Sequence, residues 1–222
     1  MTIDVVRHPR ARGYRLRLDP RTGQAKLTIP KRARLQDALA WAHGQQEWLD
    51  RQRAQLPEPL PFVPGCRVPL GDEMLEIAWA EGGPRSPRRT GDTLLFGGPV
   101  ESLAARVERW LRREALRVLS AETMEFAAKA GVTVSRVAVG DPRGRWGSCS
   151  SSGAIRYSWR LILAPAFVRR ATVAHEVAHR VHMDHSPRFH RLVHQLLGED
   201  PRPARDWLRG QGVRLHWYGR PG

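Results

Sequence analysis

His175-Glu176-Val177-Ala178-His179, followed six residues later by His185, is the stretch whose reading decides the fold. On a helix, residues four apart share a face, so His175 and His179 can point at one ion while Glu176 flanks it. From Ala166 to Val181 the apolar residues Phe167, Val168, Ala171, Ala174, Val177, Ala178 and Val181 recur at helical spacing, and Pro165 stands at the start. The spacing predicts a helix over 166–181 that carries both imidazoles.

Four further histidines compete for a third ligand position. His182 lies seven residues beyond His175, about 10.5 Å along an unbroken helix at about 1.5 Å per residue, too far for one tetrahedral ion with bonds near ~2.1 Å. A nearer ligand needs the chain to turn, and Met183-Asp184-His185-Ser186-Pro187 offers that turn. Ser186 reads as an N-cap and Pro187 as the first position of a helix running through about Leu197. His185 is therefore the expected third ligand. His190 and His194 sit four apart on that second helix, where a packed or solvated face is the expected reading. Asp184 reads first as a turn aspartate, and second as an acceptor for a ligand imidazole.

Three protein ligands leave a fourth coordination position open, which separates catalytic zinc sites from closed structural ones. The expected cofactor is Zn2+, with water in the open position at a pKa lowered to about 7 and Glu176 as the general base that takes its proton. The motif does not itself demand a peptide, because the same water can attack another carbonyl or a phosphoryl centre.

The chain has 222 residues, 41% of them hydrophobic, enough to bury a substantial core in one large or two small domains. No membrane span is visible, and Met1 to Arg17 lacks the apolar run of a secretory signal, so a cytoplasmic location is expected. Cys66 and Cys149 show no paired-motif spacing and read as free thiols rather than a disulfide or zinc ligands. The formal net charge is +15, distributed as +7 over residues 1–56, −2 over 57–99 and +10 over 100–222. Such a balance favours a nucleic acid or another polyanion as a partner, although only three of the 37 basic residues are lysine, a bias that genome composition can also produce.

Read along the chain, the pattern is α+β. Tyr14–Leu18 and Ala25–Ile29 alternate around the turn Asp19-Pro20-Arg21-Thr22-Gly23, which describes a hairpin. One long helix is expected from Leu35 to Leu56, ended by Leu56-Pro57-Glu58-Pro59-Leu60-Pro61. Short strands follow at Arg67–Leu70, Glu73–Ala80 and Thr93–Phe96, the last two separated by a Gly/Pro/Arg-rich loop. A second long helix fits Val100 to Ala130 and stops at Gly131. Val132–Val139 reads as a strand, Asp141 to Ser150 as a loop, and Ile155 to Ile162 as a strand leading into the metal helix. These elements suggest a small β-rich and helical N-terminal region over residues 1–99 and a catalytic domain over 100–222.

Several runs resemble the YgjP-like metallopeptidases, relatives of the SprT-type zinc proteases. They are Arg145-Trp146-Gly147-Ser148-Cys149-Ser150, Trp159-Arg160-Leu161-Ile162-Leu163-Ala164-Pro165, the His-Glu-x-x-His helix, and His182-x-x-His185-Ser186-Pro187-Arg188-Phe189. Leu16-Arg17-Leu18, the Ile29-Pro30 step and Glu47-Trp48-Leu49 extend the resemblance to the amino-terminal part. The resemblance implies a zincin-like metallopeptidase domain with His175, His179 and His185 on zinc and Glu176 as general base. His190 departs from it, standing where family members commonly have tryptophan.

By analogy with zincins, the strand Gly153–Trp159 is expected to align an extended peptide by backbone pairing. Arg145, Tyr157 and Arg160 are candidate donors to a developing oxyanion. The expected function is a zinc-dependent metallopeptidase acting on a peptide or protein substrate. The alternatives are a metal-dependent hydrolase of nucleotides or other phosphorylated molecules, motivated by the arginine excess, and a nucleic-acid-binding protein with a structural metal.

Overall fold

Alternation in Ala25-Lys26-Leu27-Thr28-Ile29 sends Ala25, Leu27 and Ile29 to one face, and all three are fully buried in the computed structural model, which describes residues 3–142 and 144–221. Those parts of the expected N-terminal segment and of the 141–150 loop that fall on Met1, Thr2 and Arg143 lie outside the described residues.

The chain divides into two compact units, Met1–Glu58 and Pro59–Gly222. In the first, β1 (Ile3–His8) pairs parallel with β3 (Ala25–Pro30), and β2 (Arg15–Leu18) pairs antiparallel with β3, giving the order β1-β3-β2. The expected hairpin is present. Its turn is closed by the Thr22 and Gly23 amides donating to Asp19 O and by the Asp19 side chain accepting from the Arg21 amide, with Gly23 at φ 67°. Two helices, α1 (Leu35–His43) and α2 (Gln46–Arg53), replace the single helix expected over 35–56. Gly44 and Gln45 interrupt it, and glycine costs about 1 kcal/mol in a helix interior. Ala38 and Ala42 of α1 pack on Leu27 and Ile29.

The second unit opens with a four-stranded sheet of β4 (Arg67–Leu70), β5 (Glu73–Trp79), β6 (Arg88–Thr90) and β7 (Thr93–Phe96), in the order β4-β5-β7-β6. The sequence reading sets a boundary after residue 99, whereas the compact units divide at 58/59. The reason lies in the core, where Val68, Ile77, Leu94 and Phe96 of this sheet join the same apolar cluster as the helices that follow.

A 3₁₀ turn at Val100–Ser102 leads into α3 (Leu103–Ala130), which ends as expected at Gly131 in the left-handed conformation, φ 65°. Its face of Leu103, Val107, Leu111, Ala115, Leu119 and Phe126 is buried. Next come β8 (Arg136–Gly140), β9 (Gly147–Cys149) and β10 (Ala154–Ser158), ordered β8-β10-β9, with β10 parallel to β8 and antiparallel to β9. The strand expected over 155–162 stops at Ser158, where the chain turns into a 3₁₀ helix, Trp159–Leu163, and the Ser158 hydroxyl accepts from the Arg160 amide at 3.4 Å.

Helix α4 (Ala166–Ala178) lies against α3 and is pinned there by a buried pair. Arg169 donates through Nε and Nη2 to Glu122 Oε1 at 3.0 and 2.9 Å. Helices α5 (Pro187–Leu197) and α6 (Arg202–Leu215) complete the unit. Ser186 caps α5 with Pro187 in its first turn, as the sequence predicts, whereas α6 is an element not among those expected from the sequence. Among the described residues no helix is long and apolar enough to cross a membrane.

Candidate metal centre

Helix α4 ends three residues earlier than its apolar period suggests. His175 and Glu176 are in its last turn and His179 is its C-cap residue. The Arg180 and Val181 amides then donate to Val177 O and Ala178 O, tightening the turn, while the Arg180 guanidinium donates to Thr133 O and Ser151 O at 3.1 and 3.2 Å. The chain is thereby turned back, and the segment before α5 carries His185 to the other two imidazoles.

The nearest ring nitrogens of His175 and His185, both Nε2, are 3.3 Å apart. One nitrogen from each of His175, His179 and His185 falls within 4.8 Å of the others. His179 Nδ1 lies 3.0 Å from His182 O; a carbonyl only accepts, so Nδ1 carries the proton and Nε2 is the free donor atom. His182 thus serves through its backbone. Phe189, fully buried on α5, sits among the three rings, stacked on His179 at 4.5 Å and edge-on to His175 and His185 at 4.8 and 4.9 Å. Asp184 accepts from the Ser186 amide at 3.2 Å, the turn role rather than an imidazole contact. His190 stands 6.4 Å from His185 between ring centres and is outside the three-nitrogen group, as is His194.

Electrostatics suit the cluster to a cation. Burial, then the neighbouring imidazoles and Arg205, pulls His175 down to about 4, and burial likewise lowers His179. Both are neutral near pH 7 and hold lone pairs that a metal accepts. Glu176 is buried and its carboxyl is pushed up to about 7, with Arg145 pulling the other way. Three imidazole nitrogens with no fourth histidine, cysteine or carboxylate in the group, among the described residues, fit an ion that keeps an open position.

Strand β9 roofs the carboxylate. A Cβ built on Gly147 would meet Glu176 Cγ at 2.6 Å and Cδ at 2.7 Å. In the antiparallel ladder the Ser158 amide donates to Trp146 O and the Ser150 amide to Ala154 O, so residues 146, 148 and 150 face β10. By alternation Gly147 and Cys149 aim their N–H and C=O groups at the open edge of the sheet. Strand β10, which the sequence suggested for substrate pairing, is bonded on both sides and has no edge to offer.

A cavity of about 290 Å³ adjoins the cluster, walled by Trp146, Ala171, Val193, Ala204 and Leu208, with His175, Glu176 and His190 along one side and Arg145 and Arg205 at its margin. Of the three candidate oxyanion donors, only Arg145 lines it. The Tyr157 hydroxyl is spent on Thr123 at 3.0 Å in the core, and burial pushes its pKa up. Arg160 is nearly buried, bonded to Asp141 at 2.9 and 3.1 Å and to Leu215 O at 2.8 Å. Cys66 and Cys149 are free thiols outside the nitrogen cluster.

Gly147, Phe189 and the His182 carbonyl are the parts of the site that sequence reasoning missed. Phe189 alone left a local signal, as the first of the apolar series Phe189, Val193, Leu196 on α5.

A family model described as YgjP-like, metallopeptidase domain, matches residues 14–211. No curated protein and no solved structure matches the chain.

Proposed function

The chain belongs to the YgjP-like metallopeptidase family, and from that premise we propose that it is a zinc-dependent peptidase in which His175, His179 and His185 hold the ion and Glu176 is the general base. The observation that carries the reading is the convergence of three imidazole nitrogens beside a buried carboxylate one residue from a ligand. Zinc bound there would polarise the scissile carbonyl and acidify water. The Glu176 carboxylate, buried and one residue from a ligand, would accept the proton of the attacking water and deliver it to the leaving nitrogen. The hydrogen bond from His179 Nδ1 to His182 O keeps Nε2 deprotonated and the ring oriented. The free edge of β9 supports an extended substrate paired to Gly147 and Cys149, directly above Glu176. Arg145 is one of two exposed cations that line the cavity and the one among the three candidate oxyanion donors that does so. Two unpaired thiols suit a reducing compartment such as the cytoplasm.

The test is Glu176→Gln in the zinc-loaded protein. Zinc content is expected to hold while peptide hydrolysis falls by about 10²–10⁴-fold; hydrolysis at the wild-type rate refutes the general-base role. A second reading, hydrolysis of nucleotides or other phosphorylated molecules, draws support from Arg145 and Arg205 beside the site. A panel of casein-derived peptides against nucleoside triphosphates separates the two.

A further inference from the structure

The cavity beside Glu176 has a two-part character. Its walls are apolar, from Ala171 of α4, Val193 of α5, and Ala204 and Leu208 of α6. Its margin holds Arg145 and Arg205, two exposed guanidiniums on segments remote in sequence that the fold brings to one opening. Neither has a hydrogen-bond or ion-pair partner among the described residues. Four arginines on the elements around the site are engaged instead: Arg160 with Asp141, Arg169 with Glu122, Arg170 with Glu125, Arg180 with two carbonyls. The only carboxylate that lines the cavity, among the described residues, is Glu176, which forms no ion pair with Arg145 within 4.0 Å. Two cations therefore border the space next to the scissile position, and neither is held in an ion pair among the described residues. A guanidinium presents a fork that fits a carboxylate bidentately, while an apolar wall favours the methylenes of a side chain. At about 290 Å³ the space suits one residue rather than a folded partner.

We propose that this cavity is a specificity pocket for a peptide residue bearing a carboxylate, gripped by Arg145 and Arg205, beside the bond to be cut. The proposal rests on the peptidase reading and names its substrate class. The carboxylate can come from an acidic side chain or from the chain terminus, and the cavity chemistry is the same for both.

The experiment uses the full zinc-loaded chain and quenched-fluorescence peptides that differ only at the residues flanking the scissile bond, carrying Glu, Gln, Leu or Lys, each made with a free-acid and an amidated C-terminus. A charge-assisted hydrogen bond of about 1.5–3 kcal/mol corresponds to a preference of about 10–100-fold in kcat/KM for the carboxylate peptide. Preference for Glu over Gln in amidated peptides assigns the side chain; preference for the free acid whatever the side chain assigns the terminus; either supports the pocket. In Arg145→Gln and Arg205→Gln the Glu-to-Gln ratio is expected to collapse toward one with zinc content retained. Cleavage of all peptides at equal kcat/KM, or a ratio unmoved in both variants, overturns the pocket and leaves the peptidase reading standing. If no peptide is cleaved and none binds the zinc-loaded Glu176→Gln protein by fluorescence anisotropy, the peptidase reading fails and takes the pocket with it.

Discussion

Gly147→Ala isolates the contact between β9 and the proposed base. The new methyl would stand 2.6 Å from Glu176 Cγ and 2.7 Å from Cδ, whereas ordinary contacts begin near 3.4 Å. The carboxylate must therefore give way by about 0.8 Å, because the backbone of β9 is held by its ladder to β10. A misplacement of about 1 Å in a reacting group costs about 10²-fold, or about 2.7 kcal/mol of transition-state stabilisation. The three atoms nearest this methyl all belong to Glu176 and none to an imidazole, so zinc content is expected to be unchanged. The assay is kcat/KM on one peptide, with zinc by elemental analysis and Tm as controls, in wild type, Gly147→Ala, Glu176→Gln and the double variant. If the methyl acts through Glu176, it costs about 10²-fold in the wild type and little in the Glu176→Gln background, a non-additivity that two residues in contact should show. Full activity in Gly147→Ala, or the same fold-loss in both backgrounds, refutes the reasoning.

Removing Glu122 leaves the Arg169 guanidinium buried without its anion, so Glu122→Ala should destabilise the second unit by about 3–5 kcal/mol in urea unfolding; a loss under about 1 kcal/mol would show that the pair does not pin α4 to α3. On the same helix pair, hydrogen bonds from Arg170, then Lys129, hold the Glu125 carboxyl near 2, below its ordinary value of 4.5. A lowered folded-state value contributes stability that is present above 4.5 and lost as pH falls toward 2. The urea midpoint of Glu125→Gln should accordingly fall less steeply than wild type across that window, by a modest amount because the pair is solvent-screened, and parallel curves would contradict it. In the first unit, Arg10, Arg12, Arg15, Arg17 and Lys26 line one open hollow with no acidic residue among its lining. Should this face bind nucleic acid, neutralising Arg15, Arg17 and Lys26 together makes the slope of log K against log salt on duplex DNA shallower by about 0.9 for each phosphate that the variant leaves unneutralised; identical slopes for variant and wild type by anisotropy would exclude the face.

Where neighbours along the chain decide an element, the sequence was legible. The 14–29 hairpin, the strand Thr93–Phe96 and the glycine stop of α3 follow from alternation, turn chemistry and the conformational freedom of Gly131. Elements set by tertiary context were not. Strand β1 exists because β3 has a second edge to satisfy, α6 because Ala204 and Leu215 find an apolar cluster to join, and β9 because its three residues complete a ladder with β10. A three-residue strand inside a glycine- and serine-rich run has no periodicity to read.

The same division runs through the site. His175, Glu176 and His179 are within five residues, and His185 is reached by one turn, so helix geometry alone placed them near each other. What surrounds them comes from segments that are remote in sequence: Gly147 from β9, Phe189 from α5, Arg205 from α6. Their shared trace is size. Gly147 is bare where Glu176 presses on it, and Gly212 of α6 is bare where a Cβ would stand 2.9 Å from Trp146 Cζ2. The two glycines bracket one tryptophan: Trp146 fills the space that Gly212 leaves on α6, and the next residue, Gly147, leaves the space that Glu176 fills. Enlarging Gly147 should therefore push on the carboxylate and enlarging Gly212 on Trp146, the residue before it, which makes the fit of β9 over the carboxylate a property of both contacts together and not of the His-Glu-x-x-His helix alone.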